Sequence, residues 1–343
     1  MQKIVAHVNF AKGFRGGERQ TLLLIEELAK TGLHQKLIVR KNSELTPRLL
    51  KIKNLTIIEI NKPYFFSLKY IKDASLIHAH ETKALQYAYT AHLILNIPYI
   101  VTRRVDNKIK NNFLNVKLYK SAQRVVALSM AIKKEILKVS PFANIEIIPS
   151  AFTDTTLNHA SISDIKSHFQ NKFIVGHVGA LDDKHKGQSF LIEAARILET
   201  KQANIHFILV GGGDDEAMLK TQAKGLKNIT FVGFVNNVND YISCFDLFVF
   251  PSRNEGLGSI LFDVMQLNVP IIASNVGGIP DIIHNNKNGL LIPKCDSIAI
   301  EEAIFSLYSN KELRNSLTKT AKASIDKYSA EKMKKRYLEI YKI

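Results

Sequence analysis

The stretch PSRNEGLGSILFDVMQLNVPIIAS, residues 251–274, places two carboxylates against apolar side chains. Glu255 stands directly before Gly256-Leu257-Gly258 and Ser259. Asp263 follows eight residues later, between Ile260-Leu261-Phe262 and Val264-Met265. A carboxylate in such company is costly unless hydrogen-bond donors reach it. Each acid therefore calls for a donor-rich ligand or, in the blander reading of Asp263, for neighbouring backbone to cap. Other residues point to anions. Lys186-Gly187 precedes a helical stretch, a geometry able to aim an ammonium at phosphate. Arg103 and Arg104 suit phosphate or carboxylate, or simply an exposed loop. Gly16-Gly17 reads as a loop before a helix, where amides can approach an anion or make a plain turn. His80 ends the run SLIHAH, where its ring can face a ligand or serve the structure.

These residues share a position: each follows an apolar run. IVAHVNF (4–10), KLIVR (36–40), TIIEI (56–60), SLIHAH (75–80), YIVTRR (99–104), RVVALS (124–129) and IEIIPS (145–150) alternate with helical stretches such as 21–32 and 129–139. FIVGHVG (173–179), IHFILVGG (205–212), ITFVGF (229–234), LFVFPS (247–252), PIIAS (270–274) and GLLIP (289–293) repeat the habit. Nearly continuous apolar strands alternating with helices predict parallel sheets covered on both faces. Two such series in 343 residues predict two doubly wound α/β domains. Residues 1–155 form the first and 156–325 the second; the polar stretch between Ser150 and Phe173 holds the boundary. The basic helical segment 326–343 is assigned to neither core, with a return to the first domain as the open possibility. Open α/β sheets bind ligands beyond the carboxyl ends of their strands, so the expected site is a cleft between the domains. Four ligand-type loops follow strands of the second domain. One, Gly211-Gly212-Gly213, suggests a dinucleotide fingerprint whose spacing is not met.

The composition, 46% hydrophobic and 23% charged, is that of a globular protein. No apolar run approaches the roughly 18 residues of a membrane span, and Met1-Gln2-Lys3 leads into a strand with no secretory core. The expectation is a cytoplasmic protein. Cys244 and Cys295 are too few for a disulfide framework or a metal site. The net charge of +16 is uneven: residues 1–155 hold 25 Lys+Arg against 11 Asp+Glu, and residues 156–343 hold 22 against 20. A basic first half suggests an anionic partner, or else a solvated lysine-rich surface.

The block from Pro251 to Ile283 resembles the donor-site region of the family 4 retaining glycosyltransferases. Supporting matches are Gly16-Gly17, HAH at 78–80, GALDDKHKG at 179–187, VGGG at 210–213 and FVGF at 231–234. The resemblance implies the GT-B fold, two Rossmann-like domains facing across a cleft. It implies that Glu255 bonds hydroxyls of the donor sugar and Asp263 those of the ribose, since vicinal hydroxyls can both donate to one carboxylate. It places the amides of Gly256, Leu257, Gly258 and Ser259 at the sugar and diphosphate, Lys186 at the diphosphate, and Gly16 and Gly17 on the phosphate from the first domain. His80 would stand by the transferred sugar, and the FVGFV segment, with Val235, would line the base pocket. Glu255, His80 and Lys186 form the implied catalytic set. The chain departs from the pattern twice. Asp263 replaces the usual second Glu, and Ala180 stands where Arg is common. Arg15, Arg103, Arg104 and Arg253 are the candidates for the missing cation or for holding the acceptor.

The implied reaction moves a sugar, with retention, from a nucleotide-diphosphate sugar, expected to be UDP-linked, to a hydroxyl of a glycan or lipid-linked acceptor in lipopolysaccharide or another surface polysaccharide. No cofactor and no metal are expected: Asp182-Asp183 and Asp214-Asp215 read as surface turns. The basic domain would meet an anionic acceptor at the inner face of the cytoplasmic membrane. Three other readings stand beside this one: a GT-B sugar-nucleotide epimerase, a nicotinamide-dependent oxidoreductase, and a nucleic-acid-binding module. No nucleic-acid partner is expected, because aromatic platforms and a known motif are both missing.

Overall fold

The computed structural model describes residues 3–153, 155–201 and 204–342. The chain divides into two compact units, one of residues up to Ala151 with the return from Tyr328 onward, the other Phe152–Lys327. The first holds strands β1 (Ile4–Asn9), β2 (His34–Arg40), β3 (Leu55–Ile60), β4 (Leu76–Ala79), β5 (Tyr99–Arg103), β6 (Arg124–Ala127) and β7 (Ile145–Ile147). They form one parallel sheet in the order β3-β2-β1-β4-β5-β6-β7. The second holds β8 (Phe173–Val178), β9 (Ile205–Val210), β10 (Ile229–Gly233), β11 (Leu247–Phe250), β12 (Ile271–Ser274) and β13 (Leu290–Ile292). These also run parallel, in the order β10-β9-β8-β11-β12-β13. Both sheets are doubly wound, and in each the order reverses beside the first strand: between β1 and β4, and between β8 and β11. That reversal opens a crevice at the carboxyl ends of the strands.

The most apolar runs become central strands, buried on both faces, and β3, β7, β10 and β13 form the sheet edges. In β9 the side chains Phe207, Ile208, Leu209 and Val210 are all buried. Helices are stopped and started by local chemistry. Glu81 accepts bonds from the amides of Lys83 and Ala84 at the start of Thr82–Leu95. Asp296 caps Ser297–Ser309 through the Ala299 amide at 2.9 Å.

One expectation is corrected. Gly16-Gly17 does not form a loop ahead of a helix at 21. The helix is Gly16–Ala29, and the two glycines make its first turn. The C-terminal segment packs on the first unit. Helix Ala330–Tyr341 buries Met333, Tyr337, Ile340 and Tyr341 against Leu24, Leu28, Ile100 and Val126 of the first unit. Spacings of four, three and one put these residues on one helical face. Lys334 reaches Glu27 at 3.4 Å, and Arg336 pairs with Glu146.

Candidate active site

In the second unit, the loops after β8 and β11 flank the reversal of the sheet, and they carry Lys186 and Glu255. The Lys186 ammonium lies 2.5 Å from Glu255 Oε2, and both side chains are largely withdrawn from solvent. The same ammonium sits 5.1 Å from the centre of the Phe250 ring. Gly187 makes this approach possible. Its φ is +66°, and a Cβ there would stand 2.4 Å from the Pro251 carbonyl oxygen. The turn Asp183–Lys186 is tied to the β11 loop by the amides of Arg253 and Asn254, which both donate to the His185 carbonyl, at 2.9 and 3.3 Å. The Gly278 amide donates to the Glu255 carbonyl at 3.0 Å. Three loops thus fix one ion pair.

Asp263 lies on the short helix Ile260–Gln266, buried among Leu261, Phe262, Val264 and Met265. Ser259 precedes that helix without a side-chain cap bond. Leu257 is buried, and Gly258, at φ +84°, turns the chain into the helix. Val235 is partly buried in the turn after β10. Arg253 is not a free cation. Its Nε donates to the Asp183 carbonyl at 2.9 Å, its Nη2 pairs with the Asp183 carboxylate and reaches Ser189 Oγ at 3.1 Å, and its guanidinium lies over Phe190. Among the described contacts, Arg253 braces the Lys186 turn. The glycines 211–213 also have a structural reason. A Cβ on Gly211 would sit 2.0 Å from the Gly179 oxygen, and one on Gly213 would sit 2.4 Å from the Leu181 oxygen. They let two loops of the unit touch, which removes the observation behind the nicotinamide reading.

His177 lies beneath the Lys186 loop. Its Nδ1–H donates to the Val249 carbonyl at 3.0 Å. Burial, with Lys186 nearby and the Val249 bond opposing, pulls its pKa down to about 4.

In the first unit a cavity of about 340 Å³ opens at the β1/β4 reversal. It is lined by Gly17, His80, Glu81, Arg103 and Arg104, among others. Arg15 and Gly16 are exposed and stand outside that lining. Arg103 donates to the Tyr119 hydroxyl at 3.3 Å and the Asn107 carbonyl at 2.5 Å. The buried Nε atoms of Arg103 and Arg104 have no hydrogen-bond partner, and neither does Nδ1 of His80.

The proton positions around His80 can be derived. Gln35 Nε2 donates to the Ile25 carbonyl at 3.1 Å, which fixes the amide so that Oε1 faces His7 Nε2 at 3.0 Å. An amide oxygen only accepts, so His7 Nε2 carries the hydrogen. His7 is neutral: burial lowers its pKa to about 4. Its Nδ1 is then an acceptor, 3.0 Å from His80 Nε2. His80, also held neutral by burial and by the neighbouring His78, His7 and Arg104, must donate from Nε2. Its Nδ1 is left as a bare lone pair in a ring that lines the cavity. His78 completes the cluster through the Tyr341 hydroxyl at 2.7 Å and Thr102 Oγ1 at 2.8 Å. The nitrogens of the three rings approach within 4.8 Å, but five of the six are engaged in these bonds, and the hydrogen-bond network accounts for the cluster.

Residues 14–153 match the sequence family described as Glycosyltransferase Family 4, and residues 159–324 match the one described as Glycosyl transferases group 1. Between them the two matches take in most of the chain. The chain belongs to the family 4 glycosyltransferases. Among curated relatives, the capsular polysaccharide biosynthesis glycosyltransferase CapM of Staphylococcus aureus is 29% identical over 47% of this chain and 43% of its own length. The poly(ribitol-phosphate) alpha-N-acetylglucosaminyltransferase of the same species is 28% identical over 63% of this chain and 43% of its own. Both alignments span less than half of the relative. Of solved structures, Anabaena HepE in complex with UDP and glucose superposes with a TM-score of 0.85, at 18% identity, over 98% of this chain and 99% of that one. That likeness shows the fold, which is GT-B. Within this family 4 glycosyltransferase, the sequence reading missed His7, Gln35 and His177. The one signal available was a histidine in each of three apolar runs, IVAHVNF, SLIHAH and FIVGHVG, where burial without a partner is costly.

Proposed function

We propose that this chain transfers a sugar, with retention, from a nucleotide-diphosphate sugar to a hydroxyl of a surface-glycan or glycolipid acceptor. The Lys186–Glu255 pair carries the reading: an ammonium and a carboxylate held at the strand reversal, each satisfied by the other until a ligand offers phosphate to one and hydroxyls to the other. In this account the anomeric carbon–oxygen bond to the diphosphate breaks and a bond to the acceptor oxygen forms on the same face. The acceptor proton passes to the leaving phosphate oxygen. Lys186 meets the charge that develops on the diphosphate. Glu255 holds the sugar hydroxyls, Asp263 the ribose, and His80 accepts a hydrogen bond from a hydroxyl at Nδ1.

No metal is needed for this charge balance. Support comes from the acidic pairs: Asp183 is committed to Arg253 and to the Ser189 amide, and Asp215 accepts from the Asp183 amide. UDP is the favoured carrier, since HepE was crystallised with it. An anionic, phosphate-bearing acceptor is in keeping with the poly(ribitol-phosphate) relative and with the basic first half. No helix among the described residues is long and apolar enough to cross a membrane, and we place the protein peripherally on an anionic membrane face.

The test is calorimetry on the whole chain with UDP, GDP and ADP, each beside its nucleoside, in wild type and Lys186→Ala. The expected result is one preferred nucleotide, unaffected by EDTA, whose diphosphate form alone weakens at least tenfold in the variant. Equal weakening of nucleoside and diphosphate would remove Lys186 from the phosphate.

A further inference from the structure

The first unit has a second cavity, of about 390 Å³, beyond the carboxyl ends of β1, β2 and β3. Five of its lining side chains are cations: Lys12, Arg40, Lys41, Lys62 and Lys83. No carboxylate lines it. Among the described residues, none of the five makes a side-chain hydrogen bond or ion pair. The acids nearby are engaged by other donors. Glu59 accepts from the Asn42 amide and the Thr46 hydroxyl, and Glu81 from the amides of Phe10, Lys83 and Ala84. The cavity shares no lining residue with the one that holds His80. Five unpaired like charges around one hollow repel each other, and an anion placed among them relieves that repulsion.

The wall continues into an aromatic ridge. Tyr64 stacks on Phe10 at 4.1 Å and opens the 3₁₀ helix Tyr64–Ile71. On that helix Phe65 and Phe66 are 53% and 66% exposed, with their rings 4.1 Å apart. Tyr70 is exposed as well, with the Lys69 ammonium over its ring. Exposed aromatics flanked by Lys62, Lys69 and Lys72 have the composition of a membrane-interface segment.

We propose that this cavity binds the phosphate or diphosphate of a lipid-linked acceptor, with Phe65 and Phe66 entering the membrane interface beside it. The word acceptor rests on the transferase reading; the binding itself does not.

The experiment uses the full chain in wild type, a pocket variant (Lys41→Glu with Lys62→Glu), a ridge variant (Phe65→Ser with Phe66→Ser) and a charge-matched control (Lys133→Glu with Lys134→Glu). Unfolding midpoints verify that each is folded. Probes are inorganic pyrophosphate, UDP, and vesicles of phosphatidylglycerol or of phosphatidylcholine alone. Wild type should bind pyrophosphate saturably in the presence of excess UDP. It should co-sediment with the phosphatidylglycerol vesicles only, and pyrophosphate should compete. The pocket variant should lose at least tenfold in both pyrophosphate and vesicle affinity while keeping its affinity for UDP. The ridge variant should lose vesicles and keep pyrophosphate, and the control should stay within twofold of wild type. Complete displacement of pyrophosphate by UDP would assign the anion to the donor site and overturn the proposal. So would pyrophosphate binding without vesicle binding, equal losses in pocket variant and control, or displacement of the vesicles by duplex DNA. Loss of UDP binding in wild type would fault the transferase reading instead, and would leave the pyrophosphate result to stand on its own.

Discussion

His80 has a fixed proton because three neighbours decide it in sequence. The Ile25 carbonyl orients the Gln35 amide, Gln35 sets the tautomer of His7, and His7 sets that of His80. A hydroxyl arriving in the cavity therefore meets an acceptor and never an N–H at Nδ1. Gln35→Leu removes the first fixed acceptor, so both rings become free to exchange tautomers. The expected outcome is a loss of roughly tenfold to a hundredfold in kcat/KM, of the order of one unsatisfied or misdirected hydrogen bond, with the fold retained. Two-bond ¹⁵N correlation spectra of the histidines should show Nε2–H for His80 in wild type. A protonated Nδ1 there would refute the relay. No spacing in the sequence carries this chain of bonds. It comes from strand register, which places His7 opposite His78 and Val5 opposite Gln35.

The loops after β8 and β11 meet at Gly187, where a positive φ and contact with the Pro251 carbonyl coincide. Gly187→Ala strains the backbone and pushes the β11 loop outward, and Glu255 moves with it. A loss of about 1–3 kcal/mol in stability is expected, read by urea unfolding, together with weaker UDP binding by calorimetry. Wild-type values for both would show that the two loops are not coupled through this residue. Much at this level was legible. The apolar runs matched the thirteen strands of the described residues, most plainly the central ones, since a buried parallel strand has no polar face to disguise it. The start of the first helix was not legible, because glycines disfavour helix interiors yet are tolerated in a first turn whose amides lack partners in any case. The destination of the last helix was legible only as an open possibility. Its apolar face is plain, but its partners Leu24 and Ile100 lie far back in the chain. Glu255 and Lys186 were singled out from sequence as separate features; that they touch follows from the loops crossing at the sheet's reversal.

Each unit buries a histidine whose pKa falls to about 4, His7 in the first and His177 in the second. Their unfolded values lie near 6.5, so the unfolded chain binds more protons between these limits and stability falls as pH falls. The contribution is present in full above about pH 6.5 and lost on the way to about pH 4, at roughly 3 kcal/mol for each group. Urea midpoints at pH 7.5, 5.5 and 4.5 should decline in that order; a flat series would mean that the rings are hydrated. At the same scale, the uneven charge and the two sheets make sense together if one unit holds a nucleotide sugar and the other an anionic acceptor. The most direct measurement is product formation from the preferred nucleotide sugar by wild type and Glu255→Ala, with water or lipid-extracted acceptor receiving the sugar. The account predicts turnover by wild type and a loss of about a hundredfold to a thousandfold in the variant, the 2.7–4 kcal/mol order of one key transition-state contact, with an unchanged unfolding midpoint. Near wild-type turnover by a folded Glu255→Ala protein would contradict it.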